Sequence, residues 1–308
     1  MQILGLHHIT AIAGDPRRNL AFYTGVLGLR LVKRTVNFDD PHTYHLYYGD
    51  RVGTPGSILT FFPWGNLPRG RAGTGQASAI AFRVGPDALS FWEERLHAHG
   101  VATSKPPPRY GESVLALTDP DGLAVELVAT REPDARPPWT HPGIPADHAI
   151  RGFHSVTLAV RDANPTAQLL GSAMGYREIL REGNRVRYTV ADGTPGTLVD
   201  LLADPSLPRG RQGTGTVHHV AFRTPAGEAQ LVARRELLGL GYEVSPPMDR
   251  NYFHSIYYRE PDGILLEIAT DPPGFAVDEP IESLGTALKL PAPYEPHRAE
   301  IEAALPPL

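Results

Sequence analysis

Two pairs of adjacent histidines and one glutamate in an apolar segment are the residues of this chain best suited to chemistry. The pairs are His7-His8 and His218-His219, and the glutamate is Glu267 in the segment ILLEIAT. A carboxylate buried there without a partner would be costly, so we expect a cation or a protonated state. Two imidazoles and one carboxylate on one face can hold a divalent metal and leave coordination positions open.

Strand periodicity selects one histidine of each pair. Successive residues of a β-strand face opposite sides, so one histidine of each pair should face a cleft. His218 is in phase with Val220 and Phe222, a bulky apolar face that should meet a helix, whereas His219 lies on a smaller and more polar face. The second histidine of each pair, His8 or His219, is therefore the predicted ligand.

An internal duplication supplies the elements that position these residues. Matching segments recur at nearly constant offsets: 53–75 with 193–215, 79–83 with 219–223, 119–130 with 260–270, and 5–13 with 152–160. The repeat predicts two homologous halves, residues 1–140 and 150–270. The proline-rich stretch from Glu132 to Pro145 would link them, and residues 271–308 would form a C-terminal tail.

Each half divides again into two units of similar layout. LHHITAIA alternates like a strand, and Asp15-Pro16 after it supplies a helix cap and a first-turn proline. LRLVKRTV, TYHLYYGD and SILTFFP are three further strand candidates. The order strand, helix, strands appears four times, which predicts an α+β fold of four βαβββ modules. One unit of roughly 50 residues buries too little apolar surface to stand alone, so the units should pair their sheets around shared clefts.

The repeat also provides an internal control for the candidate ligands. The positions matching His8, His219 and Glu267 hold Ser155, Ala79 and Glu126. Units one and four therefore carry the full set, while units two and three keep only a glutamate. If unit one pairs with unit four, one cleft binds metal and the other is degenerate, with Glu126 in an ion pair or a hydrogen bond. Neutral imidazole and carboxylate suit Fe(II) and Mn(II), and the ligand types leave Zn(II) open.

Composition narrows the classes of function. The chain of 308 residues has a net charge of −5, which argues against nucleic acid as a partner. The absence of cysteine excludes disulfides, thiolate metal sites and a cysteine nucleophile. The sequence has no signal-peptide layout and no apolar run near the roughly 20 residues that cross a bilayer. We therefore expect a cytoplasmic protein without a membrane partner, and a homo-oligomer stays open.

The layout resembles the vicinal-oxygen-chelate superfamily, which includes glyoxalases and extradiol dioxygenases. A narrower resemblance, to the ring-cleaving hydroquinone dioxygenases, spans nearly the whole chain. It rests on the segments HHIT, VKRTVNFDDP, YHLYYGD, GTPG, the second His-His pair, RNYFHSIY, GILLEIATD and DEPIESLG. This resemblance implies that unit one pairs with unit four and that the metal ligands fall on His8, His219 and Glu267. It also places Arg250 and Tyr257 near the substrate, where they could stabilise a phenolate.

Several residues are candidates for supporting roles. His7 and His218 could orient substrate or brace the ligands, because hydrogen bonds from outside the coordination sphere fix imidazole orientation. Thr10 shares the inferred face of His8 and is a candidate substrate contact. Arg250 and Tyr257 have a plain alternative as a salt bridge and a core tyrosine. The remaining histidines, with His45 among them, are expected to be surface, capping or packing residues. The two LPRGR loops could bind an anion, but turn formation or packing between units is favoured.

These observations together predict an Fe(II)-dependent dioxygenase that opens a hydroquinone-like or catechol-like ring with O₂. One alternative is a metal-dependent isomerase or lyase of the glyoxalase type, which would favour a fourth ligand. The symmetry-related fourth position falls around Leu59–Phe61 and offers no carboxylate or histidine. A second alternative is a metal-free protein that binds a hydrophobic drug, and the complete ligand set argues against it.

Overall fold

The chain folds into four units that each run strand, helix and three strands, as the repeat predicts. A computed structural model describes residues 1–132, 136–194 and 196–308, so residues 133–135 of the expected linker and position 195 of the second GTPG lie outside the described residues. The first half of the chain contains β1 (Leu6–Ala13), α1 (Pro16–Leu20), β2 (Arg30–Asn37), β3 (Asp40–Gly49), β4 (Ile58–Pro63), β5 (Gln76–Val84), α2 (Leu89–Ala98), β6 (Thr103–Ser104), β7 (Val114–Thr118) and β8 (Ala124–Ala129).

The second half repeats this order and is followed by the tail. It contains β9 (Phe153–Val160), α3 (Ala163–Gln168), β10 (Arg177–Glu182), β11 (Arg185–Thr189), β12 (Leu198–Ala203), β13 (Val217–Thr224), α4 (Gly227–Gly239), β14 (Met248–Asp249), β15 (His254–Arg259) and β16 (Leu265–Thr270). Helices α1 and α3 continue as π-helical segments, Ala21–Val26 and Leu169–Ala173. The tail contains three short 3₁₀ helices, Phe275–Val277, Ile281–Ser283 and Ala292–His297, and ends in α5 (Arg298–Ala304).

The units pair across the two halves of the sequence. One eight-stranded sheet has the order β14-β15-β16-β13-β1-β4-β3-β2 and joins unit one to unit four. The other has the order β10-β11-β12-β9-β5-β8-β7-β6 and joins unit two to unit three. Strands β1 and β13 meet antiparallel at the centre of the first sheet. The implied pairing of unit one with unit four is therefore present. The division into residues 1–140 and 150–270 stays a prediction about the repeat, because each sheet takes strands from both halves.

Local signals place the helices and the core where the sequence predicts them. The Asp15 carboxylate accepts hydrogen bonds from the backbone N–H groups of Arg17 and Arg18, and Pro16 occupies the first turn of α1. Val220 and Phe222 lie fully buried in the same core cluster as Ala233 and Leu237 of α4. The bulky face of β13 therefore packs against a helix and leaves the other face of the sheet for a cleft.

The two LPRGR loops pack against each other across the junction of the sheets. Arg71 and Arg211 form an antiparallel bridge, and the backbone N–H of each donates to the carbonyl of the other at 2.9 Å. The Arg71 guanidinium also donates to the Arg209 carbonyl at 3.0 Å. These contacts agree with the favoured prediction of packing between units.

The C-terminal tail packs onto β2 and onto the turn between β2 and β3. Lys33 of β2 is fully buried and forms ion pairs with Asp278 and Glu279 of the tail. The Tyr294 hydroxyl donates to the Phe38 carbonyl at 2.7 Å, at the turn between β2 and β3. No helix among the described residues is long and apolar enough to cross a membrane.

Candidate metal centre

Three predicted ligands converge on one point although they come from opposite ends of the chain. Nε2 of His8 lies 3.3 Å from Oε2 of Glu267, and Nε2 of His219 lies 3.0 Å from the same oxygen. The two Nε2 atoms are 3.3 Å apart. All three side chains are buried, with residue exposures of 1%, 4% and 0%.

Strand register explains this convergence. Thr10 of β1 pairs with His219 of β13, while His8 pairs with Ala221, and Ala221 pairs in turn with Glu267 of β16. The three donors therefore project from neighbouring strands at the centre of the sheet, toward its inner face. Central strands are hydrogen-bonded on both sides, so they hold side-chain positions more firmly than loops do.

The donor set fits a divalent metal. Oε2 of Glu267 is buried and makes no hydrogen bond among the described residues, whereas Oε1 accepts a hydrogen bond from the Ser255 hydroxyl. A buried carboxylate oxygen that faces only two imidazole nitrogens is costly unless a cation compensates its charge. Metal bonds of about 2.1 Å would separate neighbouring ligand atoms by about 3.0 Å at right angles and about 3.4 Å at tetrahedral angles. The observed spacing suits either geometry.

The protonation states also suit a metal. Burial alone would raise the pKa of Glu267, but the adjacent imidazoles of His8 and His219 hold it well below its ordinary value. Burial lowers the pKa of His219 despite the opposing effect of Glu267. The centre therefore offers a carboxylate and a neutral imidazole, which are the forms that bind cations.

The first histidine of each pair contacts the ring of the second instead of facing away from it, which differs from simple alternation. The register between β1 and β13 shifts at His7 and again at His218, so each of these residues sits in a β-bulge. Nδ1 of His7 lies 2.9 Å from Nδ1 of His8, and Nδ1 of His218 lies 2.8 Å from Nδ1 of His219. A histidine that binds metal through Nε2 keeps its proton on Nδ1, and here that proton has an acceptor in the preceding histidine.

A narrow cavity opens in front of this centre. Its volume is about 30 Å³, on a scale where one water needs about 10–15 Å³. The lining residues are His8, Asn37, Phe38, Asp39, His45, Tyr47, Phe62, His219, Arg250, Phe253 and Tyr257. The walls combine aromatic rings with polar side chains of histidine, asparagine, aspartate, arginine and tyrosine.

Arg250 and Tyr257 both line this cavity, and their contact with a substrate stays a prediction. The Arg250 guanidinium approaches the Tyr257 hydroxyl at 3.4 Å and Oδ2 of Asp39 at 3.1 Å. The Tyr257 ring stands 5.7 Å from the His219 ring, measured between centroids. Thr10 is not among the cavity-lining residues, and its hydroxyl lies 2.9 Å from that of Thr60. Its role as a substrate contact stays a prediction.

His45 is a packing residue, one of the roles expected for it, because its ring packs against those of Tyr47 and Phe62, but its place in the cavity was not predicted. It is 8% exposed and lines the cavity together with Tyr47. The signal was present in TYHLYYGD, where His45 and Tyr47 are two residues apart and so share one face of the strand. Asp39, Phe62 and Phe253 were also missed, because nothing in their local sequence separates them from ordinary turn and core residues.

The second sheet has a matching cleft in which ion pairs occupy the centre. Glu126 pairs with Arg109, which confirms the expected ion pair. The Arg187 guanidinium bridges Glu112 at 2.6 Å and Asp200 at 2.8 Å. Charged side chains of this cleft therefore neutralise one another. Among the described residues, only His8, His219 and Glu267 bring three potential metal-ligand atoms together.

The fourth symmetry-related position of the first cleft is Thr60. Glu267 pairs with the residue two beyond His219, and Thr60 pairs with the residue two beyond His8. A threonine hydroxyl stands there instead of a carboxylate, so the first cleft presents three strong ligands. This arrangement leaves more than one side of a metal open to other molecules.

Comparison with known proteins agrees with this architecture. The family model described as the Glyoxalase/Bleomycin resistance protein/Dioxygenase superfamily matches residues 5–127 and 152–268. "Putative ring-cleaving dioxygenase MhqO" of Bacillus subtilis is 49% identical over 304 residues, which cover 99% of this chain and 96% of that protein. "Chlorohydroquinone/hydroquinone 1,2-dioxygenase" of Sphingobium indicum is 33% identical over 306 residues, with 97% and 95% covered.

Solved structures show the same fold. A Bacillus subtilis protein described as a "putative dioxygenase" superposes with a TM-score of 0.96 at 48% identity, covering 100% of this chain and 98% of that one. Glyoxalase I from Zea mays has a TM-score of 0.64 at 17% identity, with 87% and 92% covered. The second similarity shows the fold alone.

Proposed function

Because the chain belongs to the Glyoxalase/Bleomycin resistance protein/Dioxygenase superfamily and, within it, to the ring-cleaving dioxygenases, we propose that it opens a hydroquinone or catechol ring with O₂ at an Fe(II) centre. His8, His219 and Glu267 would hold the metal. The observation that carries this proposal is the buried group of three donor atoms 3.0–3.3 Å apart. When bound, such a metal supplies the one-electron chemistry that lets O₂ react with an aromatic ring.

Arg250 and Tyr257 would prepare the substrate for this reaction. Burial raises the pKa of Tyr257, so its phenol stays protonated and can donate a hydrogen bond. Tyr257 and Asp39 raise the pKa of Arg250 more than burial lowers it, so the guanidinium stays charged. A phenol donor and a cation side by side stabilise a ring oxygen as it loses its proton.

The walls of the cavity would hold the ring and limit water. Phe62 and Phe253 offer flat apolar faces beside the histidines, with ring centroids 4.4 Å from His45 for Phe62 and 4.8 Å from His8 for Phe253. Aromatic side chains favour stacked or edge contacts with another ring. A dry site strengthens the electrostatic contribution of Arg250, because the local dielectric constant is lower than that of water.

An oxygen electrode tests the reaction. Ferrous-loaded protein should consume one O₂ per ring from substituted hydroquinones, with loss of aromatic absorbance and without NAD(P)H or an oxoacid. The same protein loaded with Zn(II) should bind metal and consume no O₂, and loading with Mn(II) shows whether that metal also supports turnover. No uptake with any hydroquinone or catechol, together with isomerisation of a hemithioacetal, would overturn the proposal in favour of glyoxalase chemistry.

The cytoplasmic location stays a prediction, and so does the homo-oligomer that the sequence leaves open.

Substitution of the two polar cavity residues should separate substrate activation from metal binding. Arg250→Ala should lower turnover about 100-fold, and Tyr257→Phe about tenfold, because each removes a donor aimed at developing charge. Both variants should keep their metal, since neither residue belongs to the converging group. Arg181→Ala is the matched control, because Arg181 pairs with Glu178 on the exposed strand β10 of the other sheet. Metal analysis beside O₂ uptake checks the result, and loss of metal in either cavity variant would contradict it.

A further inference from the structure

The wall of the cavity formed by β3 carries a polar pair that the proposed reaction has not used. Tyr47 is 1% exposed and His45 is 8% exposed, and both line the cavity. The Tyr47 hydroxyl lies 2.8 Å from Nδ1 of His45, which fixes the phenol on the inner face of the strand. No other hydrogen bond of this hydroxyl is present among the described residues, so it retains capacity for one to a ligand.

A chain of hydrogen bonds extends from His45 to two buried threonine hydroxyls. Nε2 of His45 lies 2.7 Å from the Thr60 hydroxyl, which lies 2.9 Å from the Thr10 hydroxyl. Burial lowers the pKa of His45 and raises the pKa of Tyr47, so both groups are neutral. The chain can run in either direction. In one direction the Thr10 hydroxyl donates to the Thr60 hydroxyl, which donates to Nε2 of His45. Nδ1–H of His45 then donates to the Tyr47 oxygen, so the phenol proton is available to a ligand. In the opposite direction, Tyr47 donates to His45 and its oxygen can accept.

Tyr47 lines the cavity from β3, whereas Arg250 and Tyr257 line it from β15 and the residues just before that strand. Strands β3 and β15 are each second from an edge of the same curled sheet, on opposite sides of the central metal-ligand strands. The Phe253 ring lies between them, with its centroid 4.8 Å from that of His8 and 6.5 Å from that of Tyr47. His8 and Tyr47 therefore both lie beside the Phe253 ring.

We propose that Tyr47, oriented by His45, binds the second oxygen of a 1,4-dihydroxylated ring and makes the site selective for hydroquinones. This inference rests on the proposed function, because it takes the first oxygen to lie at the metal centre beside Tyr257. A flat ring with oxygens at opposite ends reaches both polar walls. A catechol has its oxygens on adjacent carbons, so its second oxygen stays on the metal side and makes no contact with Tyr47.

Anaerobic binding to the ferrous-loaded protein tests this role without turnover. Hydroquinone should bind the wild-type protein about tenfold more tightly than phenol, which lacks the second oxygen, because one hydrogen bond in a buried site contributes about 1.4 kcal/mol. Tyr47→Phe should reduce this ratio to about one and leave catechol affinity unchanged. Tyr48→Phe is the matched control, because Tyr48 is the next residue and its hydroxyl donates to Asn19 at 2.9 Å.

A second variant keeps the test decisive if Tyr47→Phe folds poorly. His45→Asn removes the imidazole that orients the phenol, so it should lower the hydroquinone-to-phenol ratio about threefold while the Tyr47 ring stays in place. An unchanged ratio in folded Tyr47→Phe or His45→Asn protein, or no preference in the wild type, would overturn the inference. Absence of O₂ uptake by the wild type would instead reject the proposed function, so the two failures are distinguishable.

Discussion

Glu267→Gln protein should be isolated without metal and without turnover, whereas Glu126→Gln protein should retain both. Glu267 supplies the single anionic donor of the converging group, and its Oε2 atom lies within 3.3 Å of both Nε2 atoms. A neutral amide of the same shape cannot balance the charge of the cation. Removal of a hydrogen bond outside the coordination sphere costs about 10–100-fold in metal affinity, so loss of a ligand should cost more than 100-fold. Metal content after dialysis and O₂ uptake measure the effect.

Glu126 makes this comparison a control within one chain. It holds the matching position in the second cleft, where Arg109 is its ionic partner. Its replacement should cost stability only, by about 1 kcal/mol, because the pair is largely but not fully buried. Equal loss of metal in the two variants would contradict the assignment of the metal to the first cleft.

Glu279→Gln should lower the free energy of unfolding by about 3–5 kcal/mol, although Glu279 is not one of the predicted ligands. Its carboxylate pairs with Lys33, whose side chain is 0% exposed, while the second partner, Asp278, is 31% exposed. Loss of the more buried partner leaves an ammonium group in the protein interior with incomplete compensation. Urea unfolding of the variant and the wild type measures the difference.

A double-mutant cycle shows whether the buried charge is responsible. Lys33→Met combined with Glu279→Gln should recover most of the lost stability, because the unpaired ammonium is gone. Glu300→Gln serves as the control in the same tail, since its pair with His297 is widely exposed and should contribute less than about 0.5 kcal/mol. If the double variant is as unstable as the single one, packing of the tail and not the buried charge determines the loss.

Sequence periodicity and the internal repeat predicted much of the fold and selected the candidate ligands. The four units, the cap at Asp15 and the choice of His8 and His219 follow from local patterns and from the internal repeat. Alternation failed at His7 and His218 because a β-bulge depends on how two strands that are distant in sequence align, which neither strand encodes alone. The pairing of units also came from a resemblance, since strand periodicity does not say which sheets join.

Residues that act from outside the central strands were harder to predict. Tyr47 and His45 share a strand face, yet only the curvature of the sheet brings that face to the same cavity as Arg250. The attachment of the tail depends on Lys33, and a lysine in a strand normally indicates a solvent-exposed position. Its burial is explained by two carboxylates that lie about 245 residues later in the sequence.

The nested pairing of the four units has a consequence for biosynthesis. Strand β1 is made first, but its antiparallel neighbour β13 begins only at Val217. The sheet that joins units two and three has all its strands once Ala203 has left the ribosome, so it can form while β1 still exposes an unpaired edge. An unpaired strand edge can pair with strands of other chains. The contacts between β1 and β13 join residues far apart in sequence, so they form slowly. Translation that stalls between the third and fourth units should therefore yield a chain with one finished sheet, one aggregation-prone strand and no assembled active site.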